Sequence, residues 1–532
     1  MSCFSIHHAP PQTTSTKQRR PEQMRPTEPF ERSAENSPGA LCFIFGNEHH
    51  SYGAVARQMR RIANRLNAAN LSVGAHGAIL SPNNPVAFTC TLGLLHAGMV
   101  WLPLNPRNSI AENALVLAEL DCDILFVHRS FADALDTLRH GAPYIREVVL
   151  LDDLEAWLGD VGDAPIAIED DAGALAAISA TSGTTGRPKG VMLSCTNFDA
   201  FTQGLAETLR GGTPPVYAAA APMTHVGGRI CFSVLALGGT IVVLSRPDPL
   251  AILDAIESQH VTDLFLPPTA IYSLLAEPRL NSTDLSSLRH LMYGSAPMRV
   301  DMLRQALETF GPVMVQGFGQ TEAPLLMATL TPEDHYVDGE IAPEERLASA
   351  GRPTRFVTLA ILDDQGGHLP TGQIGEVCVR GDIVMAGYYK DPGATAAVSE
   401  YGWHHTGDVG YLDEDGFLHL VDRKKDMIVS GGFNVYSAEV ELVLLEEPAV
   451  ADAVVIGVPD PKWGEAVKAI VTAAPGHTVD VPQLIATARE RLGGVKCPKT
   501  IEVWKELPRN SAGKILKRQI REGFWAGQDR RV

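Results

Sequence analysis

The sequence predicts an α/β protein: a large N-terminal domain of layered α/β subdomains, a small β-rich subdomain, and a separate C-terminal α+β domain. Three observations lead there. From about residue 40, short runs rich in Val, Ile and Leu alternate with stretches of helical periodicity, as in largely parallel sheets covered by helices. Residues 351–421 change to short strands and glycine turns, such as GQIGEVCVRGDIVMAGYY. After VDRKKDMIVSGGF the chain restarts with a helix, strands and another helix, which sets a boundary near 422–426. We assign 30–424 to the first domain and 425–532 to the second. A chain of 532 residues, 45% of them hydrophobic, has the apolar surface for several cores.

The elements follow in order. Residues 1–29 are rich in Pro, Gln, Thr and Arg, have no apolar signal-peptide core, and read as a disordered tail. SYGAVARQMRRIANRLNAA (51–69) places Val55, Met59, Ile62 and Leu66 at helical spacing. HGAIL reads as a strand, and PVAFTCTLGLLHAGMVWLPLNP as an apolar helix followed by a strand. DILFVH (123–128), EVVLLD (147–152), TIVVLS (240–245), DLFLPP (263–268) and HLMYGS (290–295) are further buried strands. The longest apolar run, ICFSVLALGGTIVVL (230–244), is broken by two glycines and too short to span a bilayer, so it reads as a helix end, a turn and a strand. SAEVELVLLEE and PQLIATARERL are the helices of the last domain.

Charge and cysteines narrow the function. A net charge of −18 argues against a nucleic-acid partner, whose phosphates need a basic face. Any anionic ligand must be held by a local positive site. The eight cysteines are scattered, without metal-ligand or C-x-x-C spacing, which suggests reduced thiols in a cytoplasmic protein.

Five islands carry chemistry. ISATSGTTGRPKGVMLS (178–194) combines small residues, hydroxyls and two cations, an inventory suited to phosphate. It does not match G-x-x-x-x-G-K-[ST], because Lys189 follows Pro188 and precedes Gly190. In VQGFGQTEAP (315–324) an aromatic between glycines suits a flat base, and Glu322 suits Mg²⁺. GWHHTGDVGYLDEDGFLHLVDRKKD (402–426) offers Asp408 to ribose hydroxyls and Arg423 to ribose or phosphate. IVSGGFNVYSAEVE (428–441) is a glycine turn leading into a helix, and LPRNSAGKILKR (507–518) sets Lys514 after a small-residue bend. Each island alone also fits an ordinary turn or a solvated charge.

Their joint order is specific. TSGTTGRPKG, YGSAP (293–297), QGFGQTE, HTGD, DRKKDMI-x-SGG-x-NV-x-x-x-EVE and PRN-x-x-GK closely resemble the ANL superfamily of adenylate-forming enzymes, over about residues 40–520. The resemblance implies that Thr181, Ser182, Gly183, Thr184, Thr185 and Lys189 form a mobile loop on the ATP triphosphate. Gly294, Ser295, Ala296 and Pro297 would border the adenine. Phe318, between Gly317 and Gly319, would stack on it where the family usually has Tyr. Thr321 would contact the α-phosphate, Glu322 would hold Mg²⁺, and Asp408 with Arg423 would bind the ribose. Lys425 matches the hinge of a mobile C-terminal domain, and Lys514 the lysine bridging carboxylate and α-phosphate. Gly431 and Gly432 would line the pantetheine tunnel of CoA, with Trp463 against its nucleotide and Lys496 and Lys499 near its phosphates. A homodimer is a further family-level expectation.

APMTHVGGRICF (221–232) falls where the family lines its acyl pocket. His225 matches a histidine common in acyl-CoA ligases, and no Asp or Glu occurs from 213 to 247, which argues against amino-acid activation. Val226, Gly227, Gly228, Cys231, Phe232, Leu325 and Leu326 suggest a mainly apolar pocket for a fatty, aromatic or polycyclic acid. Arg229 departs from the usual apolar residue. We expect it to point away and pair with a structural acid, the alternative being a second carboxylate or carbonyl of the substrate. The leading expectation is an ATP-dependent acyl-CoA ligase. Loading of a carrier protein, another use of the adenylate, and a nucleotide-binding pseudoenzyme are the alternatives.

Overall fold

Pro29 stands in the first turn of a helix, Glu28–Asn36, where its missing N–H costs nothing, and Phe30 and Ala34 anchor that helix in the core. This helix begins two residues before the first domain assigned from the sequence. The computed structural model describes residues 25–71, 73–166, 171, 173–182, 188–509 and 515–525, with only the backbone of Ser182.

Two sheets carry the large domain. One has nine strands, in the order Arg352–Pro353, Ala323–Leu330, Met314–Gln320, His290–Gly294, Asp263–Leu266, Val216–Ala219, Thr240–Val243, Leu41–Phe45 and Glu48–Ser51. Its centre is parallel and its edges are antiparallel. The other has seven, in the order Gly387–Tyr388, Pro188–Ser194, Leu175–Ser182, Val100–Pro103, His76–Leu80, Ile124–Val127 and Glu147–Leu150.

One apolar core joins the sheets. It takes Phe43, Tyr217 and Ile241 from the first, Trp101, Ala177 and Leu193 from the second, and Phe88, Phe198 and Phe232 from helices between them. The helix Tyr52–Ala68 buries Val55, Met59, Ile62 and Leu66 as its periodicity requires. The run at 230–244 resolves into the helix Val226–Ala236, a turn at Gly238 with φ +69, and the strand Thr240–Val243.

This layout gathers the islands. Thr181 and Ser182 end the strand Leu175–Ser182, SAP follows His290–Gly294, and QGFGQ closes Met314–Gln320. Ligands of α/β sheets bind at such carboxyl ends of strands.

The small antiparallel sheet is built from Thr358–Leu362, Gly375–Arg380, His404–Leu412 and Leu418–Arg423. Beyond it, the hairpin Val450–Asp460 with Gly464–Ala473 packs against the helices Ser437–Leu445 and Val481–Lys496 around Val440, Val455, Val471 and Leu484. No described helix is long and apolar enough to cross a membrane, and every described cysteine is a free thiol.

Candidate active site

The strands Leu175–Ser182 and Pro188–Ser194 form a hairpin that pairs Thr181 with Lys189 and Ser182 with Pro188. Thr181 Oγ1 donates to the Lys189 carbonyl at 3.4 Å. Gly183, Thr184 and Thr185 at the hairpin tip lie outside the described residues, as does Lys514. Lys189 Nζ rests 4.9 Å from the centre of the Tyr388 ring. The Tyr388 hydroxyl donates to Glu322 Oε1 at 2.8 Å. Burial and the neighbouring Glu322 push its pKa up, so it remains a donor. The other Glu322 oxygen has no protein partner among the described residues. A carboxylate with one oxygen steadied and one open fits a hard divalent cation such as Mg²⁺.

Backbone crowding shapes the adenine side. Gly294 pairs with Gly317 across parallel strands, and a Cβ on Gly294 would lie 2.5 Å from the Gly317 carbonyl oxygen. A Cβ on Gly319 would lie 2.3 Å from the Leu325 nitrogen. Ser295 and Leu325 hold left-handed φ values of +67 and +62, a costly conformation that clusters at functional sites. Ser295, Ala296 and Pro297 are exposed, and Phe318 and Thr321 are half-buried, leaving their edges open to a ligand.

Asp408 and Arg423 stand opposite each other on antiparallel strands, with Nε 3.1 Å from Oδ1. Asp408 is buried and its N–H donates to Thr406 Oγ1 at 3.0 Å. Lys425 follows in a turn fastened from both sides. Lys424 reaches Asp364 at 2.9 Å and Glu376 at 3.0 Å in the large domain. Arg521 of the C-terminal helix donates to the Lys425 carbonyl at 3.1 Å. Burial, with Arg423 and Arg521 nearby, lowers the Lys425 pKa.

The acyl segment is set by Asn83. Its Nδ2 donates to the carbonyls of Ala219, Ala221 and Leu244, and its Oδ1 accepts from the Met223 N–H at 2.8 Å. Gly227 and Gly228 are needed for packing, since their Cβ atoms would fall 2.8 Å from the Ala221 oxygen and 1.7 Å from the Met223 oxygen. His225 opens to solvent just before the helix that begins at Val226. Desolvation by the surrounding protein, then the charges of Arg229 and Arg107, lower its pKa, so its ring is neutral at neutral pH.

Two expectations change here. Phe232 is not a pocket wall: it is buried in an aromatic core with Phe88 at 5.2 Å and Phe198 at 5.5 Å. Ile230 instead lines a narrow cavity of about 20 Å³ with Met292, Tyr293, Gly317, Leu325 and Leu326. A larger cavity, about 200 Å³, lies between Ala360, His368 and Trp403 and includes none of the residues expected to touch a ligand. Among the described residues Arg229 pairs with no acid: it is buried, and its Nη2 donates to Ser179 Oγ at 3.0 Å. Helix geometry could not reveal that partner, fifty residues away in sequence.

The expected CoA residues meet. The Gly431 N–H donates to the Trp463 carbonyl at 2.8 Å, and a Gly431 Cβ would lie 2.6 Å from the indole. Gly431 and Gly432 have φ of +59 and +83. Trp463 is 41% exposed, with Lys462 Nζ 4.4 Å over its ring. Lys496 is engaged with Glu439 at 2.6 Å, and Lys499 with the Gly494 carbonyl at 2.6 Å.

Comparison with known proteins agrees with this arrangement. The family model described as AMP-binding enzyme matches residues 30–389, and the AMP-binding enzyme C-terminal domain matches 439–514. The chain therefore belongs to the AMP-binding enzyme family, within the ANL superfamily. It is 38% identical over 495 residues to a feruloyl-CoA synthase of Amycolatopsis, covering 93% of this chain and 98% of the relative. It is 33% identical to the medium/long-chain-fatty-acid–CoA ligase FadD8 of Mycobacterium tuberculosis, covering 94% and 89%. The amide bond synthetase McbA of Marinactinospora thermotolerans superposes with a TM-score of 0.85 at 35% identity, covering 94% of this chain and all of that one.

Proposed function

We propose that this protein joins a carboxylic acid to CoA at the expense of ATP, through an acyl-adenylate. The chain Lys189–Tyr388–Glu322, beside the Thr181–Lys189 hairpin, carries the reading, because it sets a cation and an open carboxylate where a metal-bound triphosphate needs both. The domains assigned are 30–424 for adenylation and 425–532 for the mobile part.

A carboxylate is a poor acyl donor because its leaving group is oxide. Its oxygen attacks the α-phosphorus, pyrophosphate leaves, and a mixed anhydride results. Two anions meet in that step, so fixed positive charge lowers its barrier most. Thr181, Ser182, Gly183, Thr184, Thr185 and Lys189 hold the triphosphate in this reading, and Lys514 bridges the two reacting anions. Gly294 to Pro297 and Phe318 hold the base, Thr321 the α-phosphate, and Asp408 with Arg423 the ribose. Glu322 would hold Mg²⁺, which offsets the charge of the departing pyrophosphate.

In the second step a thiol displaces AMP from the acyl carbon. Rotation about Lys425 withdraws Lys514 and brings Gly431 and Gly432 to the site, with Trp463 against the CoA nucleotide. His225 and the Ile230–Leu325–Leu326 cavity face the acyl group. The likeness to a feruloyl-CoA synthase and a fatty-acid–CoA ligase favours an aromatic or medium-length acid. The free thiols fit a cytoplasmic enzyme.

Exchange of labelled pyrophosphate into ATP tests the reading. Exchange should require the acid and not CoA, and thioester should appear only when CoA is added. Acid-dependent release of ADP contradicts it.

A further inference from the structure

Buried cations are ordinarily matched by carboxylates. Arg229 is not. It is 8% exposed on the helix Val226–Ala236, and its hydrogen bond goes to the neutral Ser179 hydroxyl at 3.0 Å. Its Cζ lies 5.9 Å from the centre of the Phe201 ring. Among the described residues no carboxylate stands within ion-pair distance of it. Burial draws its pKa down to about 10, opposed by the charge of Glu322, so the guanidinium is still protonated at neutral pH.

Two neighbours fix its place. His225 stands one helical turn before it, its carbonyl accepting from the Arg229 N–H at 3.2 Å, and the charge of Arg229 reaches Glu322. These are the residues assigned to the acyl group and to the metal. Strand geometry agrees: residues two apart share a face, which puts Ser179 on the face of Thr181, one repeat before the phosphate hairpin. The apolar cavity is walled by Ile230, Leu325 and Leu326, and Arg229 takes no part in it. The guanidinium therefore marks the phosphate end of the acyl site, away from the substrate's tail.

We propose that Arg229 is a resident counter-charge for the reacting carboxylate of the substrate, holding it where it meets the α-phosphate. The inference rests on the adenylation reading above. The acid arrives deprotonated; one of its oxygens bonds to the α-phosphorus as the bond to the bridging oxygen breaks and pyrophosphate leaves with that electron pair. No proton moves. The acyl group of the product adenylate carries no carboxylate charge, so Arg229 acts on acid binding and adenylation and not on thioester formation.

Arg229→Met keeps length and burial without charge, and Arg229→Lys keeps charge. Ferulate and hexanoate serve as probes in pyrophosphate exchange, and synthetic feruloyl-adenylate with CoA reports the second step. The expected result for Arg229→Met is a KM for either acid raised about 10- to 100-fold, the range for a hydrogen bond to a charged group. The KM for ATP and the thioester rate from supplied adenylate should stay within about threefold. Arg229→Lys should recover most of the acid affinity. An unchanged acid KM overturns the proposal. So does an equal fall in both half-reactions, which marks a structural role. If the Met variant does not fold, the Lys variant decides: an acid KM raised about tenfold despite retained charge overturns the proposal. Absence of acid-dependent exchange in the unmodified enzyme overturns the adenylation reading itself, and the proposal with it.

Discussion

The hydroxyl of Tyr388 donates a 2.8 Å hydrogen bond to Glu322 while the ammonium of Lys189 rests 4.9 Å from the centre of the same ring. Tyr388 pairs with Val191 in the sheet, so one short strand fastens the hairpin proposed for the triphosphate to the carboxylate proposed for the metal. Tyr388→Phe keeps the ring under Lys189 and removes the bond to Glu322. The expected outcome is adenylation slowed by about tenfold, the value of one bond to a charged group. A Mg²⁺ titration of pyrophosphate exchange should show a weaker apparent metal affinity.

Arg423 and Asp408 stand where we propose that the ribose binds. Asp408→Ala removes the acceptor proposed for the ribose hydroxyls and leaves Arg423 without that partner. ATP should bind about 10- to 100-fold more weakly. The sharper check is a comparison of ATP with 2′,3′-dideoxy-ATP, whose difference in KM should largely vanish in the variant.

Gly431 combines a φ of +59 with a Cβ position 2.6 Å from the Trp463 ring. Gly431→Ala has to move the indole and strain the turn. Thioester formation should fall by at least about tenfold while acid-dependent pyrophosphate exchange is retained. Single-turnover measurements of each half-reaction separate the two.

Acid should destabilise the protein through buried histidines. His335 is fully buried, with Nε2 3.0 Å from the Tyr293 hydroxyl and Nδ1 2.7 Å from the Thr331 carbonyl. Burial holds its pKa down at about 4, against 6.5 when exposed. The unfolded chain therefore takes up the proton first. Stability from this group is full above about pH 6.5 and is lost as pH falls toward 4, by up to roughly 3 kcal/mol. His404, also held down at about 4 by burial, adds in the same direction. Thermal midpoints measured from pH 7 to 4 should fall, and His335→Gln should flatten the slope.

Much of this was legible in the sequence because the site is made of backbone-dominated islands. Glycines at 294, 317, 319, 431 and 432 exist for close approach or positive φ, and such demands leave a residue type that composition cannot disguise. Strands such as Ile124–Val127 and helices such as Tyr52–Ala68 were legible from burial periodicity. What escaped was nonlocal. Tyr388 sits in an unremarkable GYYKDP, and only the pairing of its strand with Pro188–Ser194 brings it to Glu322. Asn83 orders the acyl segment through residues more than a hundred positions away. Phe232 and Ile230 are two apart on one helix, and only the packing decides which meets the cavity.

The central claim is that a carboxylic acid becomes a thioester by way of its adenylate. Mass spectrometry of products from ATP, Mg²⁺ and a mixed panel of fatty, aromatic, dicarboxylic and steroid-type acids, with and without CoA, tests it most directly. The account predicts acyl-CoA and AMP with CoA present and acyl-AMP without it. Acyl-AMP that persists unchanged when CoA is supplied would contradict CoA as the acceptor, and ADP in place of AMP would contradict adenylation altogether.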